Sequence, residues 1–197
     1  MSFDTSQENK SRLSLHSYDE IWIFGYGSLI YKVDFPILDR KPASIKGWQR
    51  RFWQGSHDHR GTPESPGRVL TLIEEGDSEC AGVAYRVSHD VFEHLDYREK
   101  NGYLRHEIDI HFDQSNLGDL EETEIKAGLV YIGFDNNAAY LGPASEQEIA
   151  QQIHHSIGPS GRNDDYVFQL VDSLRALGDV DEHVFAIEFW LKELAKK

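Results

Sequence analysis

The stretch Ile21-Trp22-Ile23-Phe24-Gly25-Tyr26-Gly27-Ser28-Leu29-Ile30 runs from an apolar segment into a turn that contains two glycines. The apolar segment consists of β-branched and aromatic residues and therefore predicts a strand. Glycine lets the backbone turn sharply and come close to a ligand, so the N–H groups after the strand can bind an anion. An ordinary glycine-rich turn that serves only the fold is the alternative interpretation.

This turn does not fit two other glycine motifs. The dinucleotide-binding fingerprint requires a third glycine where this chain has Ile30, and no strand–helix–strand pattern follows. Ser28 lacks the G-x-S-x-G frame that surrounds the nucleophile of α/β-hydrolases. The two glycines therefore predict neither a nucleotide site nor a serine nucleophile.

Segments typical of strands continue along the chain to about residue 134, with turn residues between them. The apolar spacing of Val91 and Leu95 predicts a short helix that ends near Glu99. The predicted strands are residues 21–24, 45–52, 69–74, 80–87, 103–112 and 125–134.

The last third of the chain changes to a helical period. Ser145-Glu146-Gln147-Glu148 is a capping box that predicts a helix to about Ile157, and the glycines and proline of residues 158–161 end it. Apolar residues at helical spacing predict two more helices, over residues 167–177 and 184–194. The fold class is therefore α+β, a compact and mostly antiparallel β-barrel with flanking helices.

The chain of 197 residues, 39% of them hydrophobic, is most simply one globular domain. Residues 1–18 are polar and without periodicity, which predicts a flexible N-terminal tail before a domain over residues 19–197. The polar start contains no apolar core of a signal peptide, and the single cysteine, Cys80, excludes an internal disulfide. These features predict a cytoplasmic protein.

Charge and hydropathy exclude two classes of partner. The formal net charge of −14 argues against nucleic-acid binding, because neutralisation of phosphates supplies most of the non-specific affinity. No apolar run approaches the ~18 residues that a membrane span needs. A small anionic ligand remains compatible, since residues 40–105 are nearly balanced in charge.

The segment Leu95-Asp96-Tyr97-Arg98-Glu99-Lys100 places a glutamate between two basic residues at the end of the short helix. Such a carboxylate can serve as a general base, although a solvated charge cluster is the simpler interpretation. Arg98 and Lys100 would lower the pKa of Glu99, whereas burial or the neighbouring Asp96 would raise it. The sequence leaves this balance open.

The segment Arg50-Arg51-Phe52-Trp53-Gln54-Gly55-Ser56 combines two arginines with two aromatic residues and an amide. This combination favours recognition of a carboxylate against apolar walls, and a strand with stacked Arg and Trp is the alternative. His57 and His59 are two loop histidines without a full ligand set, so we expect neither a metal nor another cofactor.

Taken in order, the motifs of this chain resemble those of the ChaC family of γ-glutamylcyclotransferases. The resemblance runs from about Trp22 to the last helix, and it departs from the family pattern at Asn101, where a glycine is expected. The matching stretches are residues 24–30, 32–36, 50–56, 58–61, 66–69, 82–86, 95–100, 140–144 and 158–163.

The resemblance implies a compact barrel enzyme that cleaves the small molecule glutathione into 5-oxoproline and cysteinylglycine without a cofactor. It places the general acid–base role on Glu99. A cyclotransferase for other γ-glutamyl amino acids or amines, or a non-catalytic module that binds γ-glutamyl peptides, are the alternatives, and the oligomeric state stays open. The resemblance implies that the substrate-binding residues are Ile23, Phe24, Gly25, Tyr26, Gly27, Ser28, Leu29, Arg51, Gln54 and Tyr140.

Overall fold

Five strands form a closed barrel in the computed structural model, which describes residues 3–18, 20–112 and 124–196. Around the barrel the order of the strands is β1, β3, β2, β4, β5. All neighbouring pairs are antiparallel except β1 and β5, which are parallel and close the barrel. The strands are β1 Ile21–Gly25, β2 Asp39–Ser56, β3 Gly67–Val87, β4 Leu104–Phe112 and β5 Glu124–Ile132.

Five helices flank this barrel in the described residues, and the mixed periodicity predicted the last four of them. The capping box at the start of α3 is confirmed, because Ser145 Oγ accepts a hydrogen bond from the Glu148 N–H. A hairpin of two short strands, β6 Ile157–Gly158 and β7 Gly161–Arg162, separates α3 from α4. The helices are α1 Ser6–Arg12, α2 Val91–Arg98, α3 Glu146–His155, α4 Asn163–Leu177 and α5 Glu182–Leu194.

The barrel core fixes the position of α2. Ile23 of β1 and both Ile45 and Phe52 of β2 are fully buried, and Leu95 of α2 is fully buried in the same apolar cluster. Burial of a leucine side chain contributes about 1.5–3 kcal/mol. The C-terminal end of α2, and Glu99 directly after it, are therefore held against the barrel.

Two of the predicted strands are one strand, and the strand predicted over residues 45–52 is longer at both ends. The segments 69–74 and 80–87 belong to a single strand, β3, which pairs with β2 from Ser56↔Gly67 to Asp39↔Arg86. The register shifts between Lys46 and Trp48, where Gly47 adopts a φ of 79°. Turn residues near Gly76 suggested a break, but pairing along the partner strand overrides local propensity.

The N-terminal segment is a docked helix in place of the expected flexible tail. Asn9 of α1 is fully buried, where its Nδ2 donates to the Tyr103 carbonyl at 3.0 Å and its Oδ1 accepts from the Arg105 N–H at 2.8 Å. Thr5 Oγ1 lies 2.7 Å from the same Tyr103 carbonyl. The polarity of these side chains suggested a flexible tail, but they form hydrogen bonds with the backbone on either side of the first residue of β4. Residues 1 and 2 lie outside the described residues.

No helix in the described parts of the chain is both long and apolar enough to cross a membrane.

Candidate active site

A cavity of about 150 Å³ lies where the turn after β1 meets the end of α2 and the start of α4. It brings Glu99 together with the glycine-rich turn, although the two motifs are about 70 residues apart in the sequence. Lys32, His59 and Ser160 are exposed lining residues, so they mark the opening to solvent. The cavity therefore contains both of the motifs that the sequence singled out.

The glycine-rich turn presents unpaired backbone donors. Ser28–Ile30 is a short 3-10 turn, in which the N–H of Ile30 donates to the Gly27 carbonyl at 3.0 Å. The first N–H groups of a helical turn have no partner within it. No described residue accepts a hydrogen bond from the backbone N–H of Gly27, Ser28 or Leu29, so these donors are available to a ligand.

The two glycines are required for different spatial reasons. A methyl group on Gly25 would lie 2.7 Å from Leu29 Cβ, so Gly25 lets the turn close on itself. A methyl group on Gly27 would lie 3.1 Å from the Tyr166 hydroxyl, on the cavity side. Gly27 has a φ of −129°, so a need for positive φ does not explain this glycine.

A buried arginine holds the turn from outside the cavity. Arg50 is 2% exposed, and its Nε donates to the Tyr26 carbonyl at 2.7 Å. Its Nη1 donates to Asp179 at 3.0 Å and to Asp181 at 3.3 Å, both in the loop between α4 and α5. Across a trans peptide the carbonyl and the next N–H point in opposite directions. Arg50 therefore orients the Gly27 N–H away from itself.

Glu99 is the ionisable group of the cavity best suited to proton transfer. Its side chain is 18% exposed, and burial is the main cause that raises its pKa above the ordinary value. Arg98 and His59 oppose this shift, whereas the negative charges of Asp34 and Asp58 add to it. Burial therefore outweighs the neighbouring Arg98 and sets the direction in which the pKa of Glu99 shifts.

Asp96 does not act on Glu99, because it is buried in another contact. It accepts a hydrogen bond from the Tyr131 hydroxyl at 2.6 Å and pairs with Arg105 at 3.3 Å. Arg98 instead connects the two motifs of the site. Its Nη2 donates to Ser28 Oγ at 3.0 Å, and its Nη1 donates to Asp34 at 2.6 Å.

Five tyrosines line the cavity, and sequence analysis missed all but the first: Tyr26, Tyr31, Tyr103, Tyr131 and Tyr166. Burial raises the pKa of each phenol, so all five are neutral at physiological pH. They come from different parts of the chain and share no motif, so only the fold could bring them together.

Seven of the eleven expected site residues line the cavity, namely Phe24, Gly25, Tyr26, Gly27, Ser28, Leu29 and Glu99. Ile23, Arg51, Gln54 and Tyr140 do not. Ile23 is fully buried in β1. Arg51 is partly exposed beside its buried neighbour Arg50, and neither arginine lines the cavity.

Gln54 does not line the cavity, and it reaches the site only through a hydrogen bond to a backbone carbonyl. It is fully buried, and its Nε2 donates to the carbonyl of Asn101, two residues after Glu99, at 2.9 Å. Tyr140 forms an isolated β-bridge with Gln54. These contacts place both residues behind the segment that follows Glu99, so the roles implied for them by resemblance stay predictions.

A second, open groove shares no lining residue with the cavity. Arg51, Glu146 and His183 line it together with three acidic residues of the α4–α5 loop and the start of α5. His183 Nδ1 lies 3.1 Å from Glu146 Oε1. Carboxylates outnumber the two arginines in the lining of this groove, and Glu99 is not among the lining residues.

Histidines and carboxylates do not assemble into a metal site in residues 3–18, 20–112 and 124–196, where no group of three or more potential ligands is close enough to share an ion. His57 stacks on Phe3 with ring centroids 4.1 Å apart, and His59 Nδ1 lies 3.1 Å from Ser160 Oγ.

Comparison with known proteins gives a consistent family. A family model described as ChaC-like protein matches residues 21–194. Gamma-glutamylcyclotransferase 2-3 of Arabidopsis thaliana is 44% identical over 172 residues, covering 83% of this chain and 84% of that protein. Glutathione-specific gamma-glutamylcyclotransferase 1 of Danio rerio is 44% identical over 176 residues, covering 85% and 87%.

A solved structure is similar over nearly the whole chain. The crystal structure of a γ-glutamyl cyclotransferase specific to glutathione from yeast superposes with a TM-score of 0.79 at 32% sequence identity. The match covers 89% of this chain and 97% of the yeast chain. The chain therefore belongs to the ChaC-like protein family.

Proposed function

We propose that this protein is a γ-glutamylcyclotransferase that cleaves glutathione into 5-oxoproline and cysteinylglycine. The observation that carries the proposal is the meeting of a buried, basic carboxylate, Glu99, with the unpaired N–H groups of Gly27, Ser28 and Leu29 in one cavity. The names of the Danio rerio relative and of the yeast structure support glutathione as the substrate.

The reaction is an internal aminolysis. The α-nitrogen of the γ-glutamyl group attacks its own γ-carbonyl carbon, and the new N–C bond closes a five-membered lactam. The bond from the γ-carbon to the cysteinyl nitrogen then breaks. The two protons that leave the α-nitrogen end on the amino group of cysteinylglycine, so the reaction consumes no water and needs no co-reactant.

Glu99 moves a proton in this scheme. Its carboxylate accepts a proton from the attacking nitrogen and returns it to the departing nitrogen. General acid–base catalysis contributes about 10²–10⁴ in rate when the pKa of the group is near the operating pH. Burial raises the pKa of Glu99 in that direction, and holding the substrate folded supplies the effective molarity of an intramolecular reaction.

The glycine-rich turn has two possible roles. Its N–H groups, from Tyr26 to Leu29, can hold the α-carboxylate of the substrate, or they can donate to the oxyanion that forms when the γ-carbonyl is attacked. In either role, the hydrogen bond from Arg50 to the Tyr26 carbonyl keeps the Gly27 N–H in a fixed orientation.

A cyclotransferase for other γ-glutamyl compounds is the second candidate, because the name of the Arabidopsis thaliana relative does not specify glutathione. We also propose that the protein acts in the cytoplasm without a nucleic-acid or membrane partner. The net charge of −14 and the buried, unpaired thiol of Cys80 support this.

The test is to incubate the purified protein with glutathione and to quantify the products. We expect 5-oxoproline and cysteinylglycine in equal amounts, and no product from N-acetylglutathione, whose blocked nitrogen cannot cyclise. Release of cysteinylglycine from the acetylated compound would indicate a peptidase. Turnover of γ-glutamylalanine but not glutathione would favour the second candidate, and binding without turnover would indicate a non-catalytic module.

A further inference from the structure

Arg60 is a buried cation in the cavity without a carboxylate partner in the described residues. It is 8% exposed and lines the same cavity as Glu99. Its Nη1 donates to the Arg162 carbonyl at 2.8 Å, and its guanidinium carbon lies 5.9 Å from the centroid of the Tyr166 ring. No Asp or Glu oxygen of residues 3–18, 20–112 and 124–196 lies within 4.0 Å of its guanidinium nitrogens.

Two nearby arginines each have a carboxylate counter-ion, whereas the buried Arg68 instead donates to three oxygens, of Gln152, Phe52 and Gly142. Arg98, in the same cavity, has a carboxylate oxygen of Asp34 at 2.6 Å. Arg50, behind the glycine-rich turn, has Asp179 at 3.0 Å. Transfer of an ion from water to a protein interior costs several kcal/mol unless a counter-ion and hydrogen bonds offset it. Among the described residues, the guanidinium of Arg60 has one hydrogen-bond acceptor, the Arg162 carbonyl, and no anionic partner.

A second donor without a partner lies in the same cavity. The hydroxyl of Tyr31 is buried and has no hydrogen-bond partner among the described residues. Burial raises the pKa of Tyr31 to about 12, and the positive charges of Arg60 and Arg98 oppose that shift. The hydroxyl therefore stays protonated at physiological pH and can donate a hydrogen bond beside the guanidinium of Arg60.

Arg60 is also held in place before a ligand arrives. Its backbone N–H donates to Ser56 Oγ at 2.9 Å, and the preceding carbonyl, of His59, accepts from the Ser160 N–H at 2.9 Å. The hairpin of β6 and β7 thus fixes the loop that carries the guanidinium. Groups fixed in their binding geometry lose little entropy when a ligand binds.

We infer that Arg60, together with the hydroxyl of Tyr31, binds a carboxylate of the substrate. A guanidinium presents paired donors that match the two oxygens of a carboxylate. The inference rests on the proposed function, under which glutathione brings two carboxylates, the α-carboxylate of the γ-glutamyl group and the carboxylate of glycine. This residue takes the recognition role that resemblance gave to Arg51, which lies outside the cavity.

Binding is measured in a Glu99→Gln background, so that the substrate is not consumed during the titration. Calorimetry gives Kd for glutathione, for its α-carboxamide and for its glycine carboxamide, with and without Arg60→Gln. Because hydrogen bonds to charged groups contribute about 1.5–3 kcal/mol, we expect Arg60→Gln to weaken glutathione binding by about 10-fold or more. The carboxamide on which Arg60→Gln has little further effect identifies the carboxylate that Arg60 binds.

Controls separate this role from folding. Arg60→Lys keeps the charge but not the paired donors and should restore part of the affinity. Tyr31→Phe should weaken binding less than Arg60→Gln. Lys46→Gln removes an exposed cation of β2, outside the cavity, and should leave binding unchanged. Two results would overturn the inference but not the proposed function. One is equal affinity for glutathione with and without Arg60→Gln, and the other is an equal loss of affinity for all three ligands. If the background protein does not bind glutathione, the proposed function fails with it.

Discussion

Two glutamates, one in the cavity and one in the open groove, show how the same side chain acquires opposite properties. Glu99 in the cavity is 18% exposed, and burial raises its pKa although Arg98 lies 3.4 Å away. Glu146 in the open groove is 43% exposed, and a backbone hydrogen bond at the start of α3 together with His183 lowers its pKa. Desolvation dominates in the cavity, whereas pairing dominates in the groove.

This contrast predicts which of the two regions carries the chemistry. A carboxylate whose pKa is raised toward neutrality can exchange protons during a reaction, whereas one with a lowered pKa stays ionised and serves as a fixed charge. The cavity is enclosed by neutral tyrosines, while the groove is lined by acidic residues that pair with Arg50 and His183. We therefore expect catalysis to depend on the cavity and to be insensitive to the groove.

The largest expected effect is that of Glu99→Gln. The amide keeps the shape of the side chain but cannot accept the proton, so kcat for glutathione should fall by about 10² or more. Turnover is measured by 5-oxoproline formation, with circular dichroism as the check on folding.

Glu146→Gln is the matched control, because it makes the same chemical change in the groove. It should retain kcat within about threefold of wild type, since surface substitutions rarely matter beyond their own contacts. Loss of activity in Glu146→Gln equal to that in Glu99→Gln would remove the distinction between the two regions. Residual activity of Glu99→Gln within threefold of wild type would exclude Glu99 as the base.

The next largest effect is expected from the glycine-rich turn. Gly27→Ala places a methyl group 3.1 Å from the Tyr166 hydroxyl, so kcat/KM should fall about tenfold with a small change in Tm. Gly25→Ala places its methyl 2.7 Å from Leu29 Cβ and should mainly lower Tm. Tm and turnover are measured on the same preparations. A Gly27→Ala protein that is destabilised but fully active would show that the turn serves only the fold.

A smaller effect concerns stability and pH. The pKa of Glu99 is higher in the folded than in the unfolded protein, so its contribution to the free energy of unfolding is lost as pH rises through the folded-state pKa. Glu99→Gln should therefore unfold at the same or a higher Tm than wild type at pH 7. A clear decrease in Tm at that pH would contradict the raised pKa.

For Glu146 the pH dependence of the free energy of unfolding has the opposite sign. Its pKa is lower in the folded protein, so its stabilising contribution is present above the ordinary value of 4.5 and is lost as pH falls through the folded-state pKa. Glu146→Gln should lower Tm at pH 7 by about 2 °C or less, because solvent screens a half-exposed pair. The difference from wild type should disappear at acid pH in thermal melts followed by circular dichroism.

The smallest expected effect is that of Arg51→Gln. Arg51 Nη1 donates to the Arg50 carbonyl and its side chain lies in the groove, outside the cavity lining. KM for glutathione should stay within about twofold of wild type. A large increase in KM would restore the substrate-binding role that resemblance implied for this residue.

Local patterns in the sequence predicted most of the fold. The periodicities and the capping box predicted the order of strands and helices, and the glycine-rich turn and Glu99 were predicted as one site from resemblance. The single strand β3 was not predicted, because its continuity comes from pairing with β2. The docking of α1 was not predicted either, since the polarity of Thr5 and Asn9 is satisfied by distant backbone groups of β4.

Parts of the site depend on the barrel and could not be predicted locally. Arg50 and Arg51 are neighbours in the sequence, yet Arg50 is buried and donates to the Tyr26 carbonyl, whereas Arg51 stays partly exposed in the groove. Arg60 was within a matching motif, but only the fold shows that no carboxylate of residues 3–18, 20–112 and 124–196 pairs with it. The pKa of Glu99 depends on burial, which a single sequence does not give.

The most direct test of the contrast is to titrate both glutamates in one sample. With ¹³C at the side-chain carboxyls of glutamate, NMR follows each carboxyl across pH, and the signals missing in Glu99→Gln and Glu146→Gln assign the two residues. We expect Glu99 to titrate above the ordinary value of 4.5 and Glu146 below it. A Glu99 carboxyl that titrates at or below the pKa of Glu146 would contradict the account.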